Sequence, residues 1–85
     1  MTMGLFAGIP VRDYAAATAW YTRLLGSPPA FLPKTEAVWE LAEHRYAYVV
    51  LLPERAGHAI HTMFVSDFDA RLAQIGERGL EPARR

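Results

Sequence analysis

The side chains that could do chemistry are few. There is no cysteine among the 85 residues, so disulfides, thiolate zinc sites and thiol nucleophiles are excluded. Three histidines remain as the strongest donors: His44, His58 and His61. A divalent metal needs three or more good donors in tetrahedral or octahedral geometry. His58 and His61 would face opposite ways on a strand, and His44 falls in a polar turn, Glu43-His44-Arg45. His61 alone is left as a weak candidate ligand. Ser27 and Ser66 have no histidine and aspartate constellation beside them, and Ser66 is better explained as a helix cap. Glu36 and Glu40 flank Trp39 and read as solvated carboxylates on a strand face rather than an acid–base pair. There is no glycine-rich phosphate loop.

Composition narrows the classes further. Lys+Arg and Asp+Glu number nine each, so the formal net charge is zero. Nucleic acid is thereby disfavoured as a partner, because phosphate binding needs a basic surplus. The terminal Arg84-Arg85 pair reads as a solvated end. Apolar residues make up 52% and charged residues 21%, which is globular composition and too apolar for disorder. The longest apolar run, Tyr46 to Pro53, is too short to span a bilayer. The N-terminus lacks a basic stretch followed by an apolar core. The expectation is a cytoplasmic protein with no membrane partner. A chain of this length buries only about 60–65% of its unfolded surface and is marginal unless something such as oligomerisation helps; the expectation is a homodimer, or further residues beyond Arg85, to cover an unpaired sheet edge.

The elements that must position any site can be read in order. Leu5 to Val11 is a first strand, with Phe6, Gly8 and Pro10 on one face and Leu5, Ala7, Ile9 and Val11 on the other. Asp13 caps a helix rich in alanine. Its stripe, Ala17, Trp20, Tyr21 and Leu24, has the spacing of a face packed on a sheet. Gly26 stops it, and Pro28-Pro29 forbid continuation. Ala30 to Leu32 is a short strand candidate. Glu36 to Ala42 and Tyr46 to Leu52 form an antiparallel hairpin, and Pro53 to Gly57 is a loop. Ala59 to Val65 reads as a further strand. Ser66 or Asp67 caps a second helix with a Phe68, Leu72, Ile75 stripe, which Gly79 ends.

The pattern repeats. Val11-Arg12-Asp13-Tyr14-Ala15-Ala16 and Val65-Ser66-Asp67-Phe68-Asp69-Ala70 share V-x-D-aromatic-x-A. Each copy follows an apolar stretch, opens a helix and ends in a glycine stop. With the Ala19 to Gly26 helix end, the Glu36-Ala37-Val38-Trp39 strand and the Val65 to Gly79 stretch, the chain resembles the vicinal oxygen chelate superfamily. That superfamily includes glyoxalases, bleomycin-resistance proteins and extradiol dioxygenases. The resemblance implies an α+β fold with helices on the outer face of a mixed, curved sheet. It places a complete βαβββ module at 1–57 and the βα start of a second module at 58–85.

The resemblance also implies where ligands would sit. Metal-dependent members place a donor five residues before the Val of V-x-D. Here that position is Phe6, which cannot coordinate. Its counterpart in the second copy is Ile60, or His61 with a shorter turn, and both registers stay open. The expectation is therefore no metal and no cofactor. The concave sheet face would bind a small organic molecule through Phe6, Trp39, Tyr46, Tyr48, Ile60, Thr62 and Phe64, with Tyr46 and Tyr48 sharing a face. The alternative is a metal-dependent lyase, isomerase or dioxygenase, with its other ligands on further strands or another subunit. The sequence itself names no reaction.

Overall fold

A computed structural model describes residues 3–31 and 35–81. Its elements are β1 (Leu5–Val11), α1 (Tyr14–Leu25), β2 (Glu36–Ala42), β3 (Arg45–Leu51), a single 3-10 turn at Pro53–Arg55 and α2 (Phe68–Glu77). The sheet order is β1-β3-β2. β3 runs parallel to β1, with Phe6 opposite Tyr46 and Gly8 opposite Tyr48. It runs antiparallel to β2, with Glu40 opposite Tyr46 and Val38 opposite Tyr48. The hairpin turn passes through His44, whose φ of 62° is left-handed. Phe31 forms an isolated bridge to Val38 on the outer side of β2. That bridge marks the place of the strand expected at Ala30 to Leu32; Leu32 itself lies outside the described residues.

Helix α1 forms where its signals predict. The Asp13 carboxylate accepts the Ala16 N–H at 3.1 Å, which satisfies one of the amides that a helix start leaves free. At the other end Gly26, at φ 82°, donates its N–H to Thr22 O. Between these ends the helix lies on one face of the sheet. Ile9, Val11, Tyr14, Ala17, Tyr21 and Leu25 pack around a core of Ala37, Trp39 and Val49. The packed stripe therefore uses Leu25, and Trp20 sits at its edge, partly exposed.

Trp39 is the anchor of this core. It is 2% exposed, and its indole N–H donates to Ser27 O at 2.9 Å. A buried indole needs such a partner. Burial also raises the Tyr21 phenol above its ordinary value.

The second region differs from expectation. Ala59 to Val65 is not a strand, because no backbone hydrogen bond joins residues 58–65 to any described residue. A strand exists only where a neighbour's N–H and C=O groups meet its own. Here the outer edge of β1 is met by a side chain instead: His61 Nε2 lies 3.0 Å from Gly8 O. Helix α2 does form. Asp67 holds its N-cap position but makes no side-chain cap bond; its carboxylate takes Arg71 Nε at 2.8 Å. That bond holds the Asp67 carboxyl below its ordinary range. Arg78, at the end of α2, ties the two helices together. Its guanidinium donates to Arg23 O through Nε and to Leu24 O through Nη2 at 3.2 Å. It thereby caps carbonyls that the C-terminus of α1 leaves without intrahelical partners.

Candidate functional site

The strand alternation gives the sheet two unlike faces. One is covered by α1 and holds Ala37, Trp39 and Val49, with Ala47 buried beside Trp39. The other carries Phe6, Gly8, Tyr46 and Tyr48 and faces away from α1. The aromatic rings on this open face touch each other. Phe6 stands 4.6 Å from Tyr48 between ring centroids and 5.8 Å from Tyr46. Both pairs are tilted, within the favourable range for aromatic contacts. Phe6 remains 55% exposed. The result is a flat apolar floor that faces outward.

Gly8 makes that floor possible. A Cβ at this position would lie 2.6 Å from both Cζ and Oη of Tyr48, closer than real Cβ contacts come. The tyrosine ring therefore lies over bare backbone. At the other end of the face, the Tyr46 hydroxyl donates to Glu40 Oε2 at 3.1 Å. The hydrogen bond to the Glu40 carboxylate, and then its charge, hold the Tyr46 phenol above its ordinary value. Glu40 is thus a partnered carboxylate rather than a free one.

The residues expected to bind a ligand do not all meet. Phe6, Tyr46 and Tyr48 gather on the open face. Trp39 points the other way, into the core beneath α1, where its ring centroid is 6.1 Å from that of Tyr21. Ile60 and Thr62 line a different concavity, of about 370 Å³, between α1, β1 and residues 59–63. Its other walls include Trp20, Leu24, Trp39 and Met63, and Tyr46 borders it as well, so Trp39, Tyr46, Ile60 and Thr62 meet there. Phe64 belongs to neither and is 96% exposed. His61 reaches Gly8 O, and among the described residues no three of His, Asp or Glu converge as a metal site would require.

Two groups beside the open face were not legible beforehand. Arg55 and His58 line a cavity of about 380 Å³ with Gly8, Pro10 and His61. Arg55 lies in a 3-10 turn within a loop, where no periodicity assigns it a face. His58 precedes an extended segment whose place depends on contacts distant in sequence.

No helix among the described residues is long and apolar enough to cross a membrane. No family model matches the chain, and no curated protein matches it. Among solved structures, the chain is similar to a glyoxalase/bleomycin resistance protein from Catenulispora acidiphila DSM 44928. The two are 52% identical and superpose with a TM-score of 0.93, over 98% of this chain and 76% of that one. With that identity over almost its whole length, on the repeat and the sheet order described above, the chain belongs to the glyoxalase/bleomycin resistance proteins of the vicinal oxygen chelate superfamily.

Proposed function

We propose that this protein binds a small organic molecule with a flat apolar part on the open face of its sheet, and does so without a metal ion. The observation that carries the reading is the Phe6–Tyr48 pair, 4.6 Å apart, held against β1 by the bare backbone of Gly8 and left uncovered by α1. Exposed aromatic rings on a rigid strand offer stacking area at little conformational cost. A site of mostly apolar lining with a few polar tips suits such a ligand, and the Tyr46 hydroxyl with Glu40 supplies polar tips here. The donor set also supports the metal-free reading. Phe6 stands where the superfamily resemblance assigns a first ligand, and among the described residues no three donors converge.

The test is a calorimetric titration of 2-naphthol into the wild type, Phe6→Ala and Trp20→Ala. Phe6→Ala is expected to weaken binding about tenfold, the order of one lost aromatic contact. Its fold should persist, because Phe6 lies outside the core cluster. Trp20→Ala should leave the affinity unchanged. If Trp20→Ala abolishes binding and Phe6→Ala does not, the ligand sits in the cleft beside α1 instead. Metal analysis of the purified protein should find no stoichiometric divalent ion, and added Zn²⁺ should not raise the Tm. A tight one-to-one metal would overturn the metal-free reading.

A further inference from the structure

We infer that the ligand's polar end is an anion, a single carboxylate seated between Arg55 and His58, in the cavity that His61 helps to wall. This deepens the proposed reading of the open face and rests on it. Gly8 and Pro10 lie on the same face of β1 as Phe6, opposite Tyr48 and Val50. The cavity of about 380 Å³ that these two strand positions share with Arg55, His58 and His61 adjoins the aromatic floor. A molecule stacked on Phe6 and Tyr48 meets that cavity about 7 Å further along the strand.

Two of the groups there, Arg55 and His58, are donors in search of an acceptor; His61 already meets Gly8 O through Nε2. Among the described residues, no hydrogen bond or ion pair engages the side chains of Arg55 or His58. Arg55 is set by its turn, where its own N–H bonds Leu52 O at 3.0 Å. Gly57, at φ 83°, then turns the chain toward His58. A guanidinium fork matches the two oxygens of a carboxylate, and an imidazole N–H can add a further bond. Glu54 lines the same cavity and opposes a second negative charge, so a monocarboxylate fits better than a polyanion. At the far end Glu40 repels an anion and sets the ligand's direction.

The experiment compares 2-naphthoate with 2-naphthol on the full chain. The same apolar body then carries either a carboxylate or a neutral hydroxyl. The wild type should bind the carboxylate about tenfold more tightly. Arg55→Gln should remove that preference while leaving 2-naphthol affinity unchanged, and Glu54→Gln should increase it. Equal affinity of the wild type for the two probes would overturn the inference and leave the aromatic site standing, as would an Arg55→Gln variant with its preference intact. If neither probe binds, the aromatic reading fails and the anion site falls with it.

Discussion

Residues 5–51 and residues 58–81 begin from the same motif and end differently. In the first region an apolar strand leads through V-x-D into α1, and β2 and β3 follow. β1 then has a parallel neighbour along its whole length, and α1 covers a core centred on Trp39 and Val49. In the second region the apolar stretch leads through V-x-D into α2, and no described strand pairs with it. Ile60 and Phe64 are 92% and 96% exposed. The contrast teaches that the motif fixes the turn into the helix, whereas burial depends on what arrives later to cover it. It also locates the candidate site, because the aromatic floor stands on the region whose strands pair with one another.

That comparison can be broken most decisively at the core. Trp39→Ala removes the anchor and orphans Ser27 O, at a cost of about 3–5 kcal/mol. For so small a domain the expected result is loss of cooperative unfolding in denaturant titration. The paired change in the second region, Phe64→Ser, should shift stability by no more than about 0.5 kcal/mol. If the two variants are equally damaging, the second region is covered by something that the contrast omits. The homodimer expected from the sequence would supply such a cover; sedimentation at several concentrations, repeated with Phe64→Ser, reads this directly.

A smaller effect is expected where the two regions meet. Arg78→Ala removes both guanidinium bonds to the end of α1, at a cost of about 1–3 kcal/mol. Faster amide exchange in α2 should report the loss, with β1 and β3 unchanged. Arg78→Lys should restore only part, because an ammonium lacks the planar fork.

The caps sharpen the contrast further. Asp13→Ala should cost about 1 kcal/mol, because its side chain caps α1. Asp67→Ala should cost less, since Asp67 makes no cap bond and its pair with Arg71 is exposed.

The smallest effect is in pH. In the folded state Arg71 holds the Asp67 carboxyl below its unfolded value. The stabilisation is therefore present above the ordinary carboxylate range and is lost as pH falls through the lowered folded value. Tyr46 runs the other way. Glu40 raises its phenol, so that contribution is complete below the ordinary tyrosine value and is lost as pH rises through the raised one. Thermal melts across both ranges should show Asp67→Asn flattening the acid limb and Glu40→Gln flattening the alkaline one.

Much of the fold was legible because its signals are local. Asp13, Gly26 and the alanines between them specify α1 by capping and propensity alone. The alternation along Leu5 to Val11 separated Phe6 and Gly8 from Ile9 and Val11, and Tyr46 and Tyr48 share a face as expected. Trp39 was harder. Its strand was clear, but which face is buried depends on where α1 lands, and the indole bond to Ser27 crosses the chain. Ala59 to Val65 has the composition of a strand, yet pairing is non-local and composition cannot supply a partner. Arg78 was invisible for the same reason, since nothing near it in sequence marks a cap on a distant helix.

The site itself is tested most directly by following the backbone amides of the protein by NMR during a titration with 2-naphthol. The account predicts that shifts concentrate at Phe6, Gly8 and Tyr48, with Trp20, Leu24 and Ile60 unmoved. Shifts confined to Trp20, Leu24, Ile60 and Met63 would contradict it and move the site to the other side of the sheet.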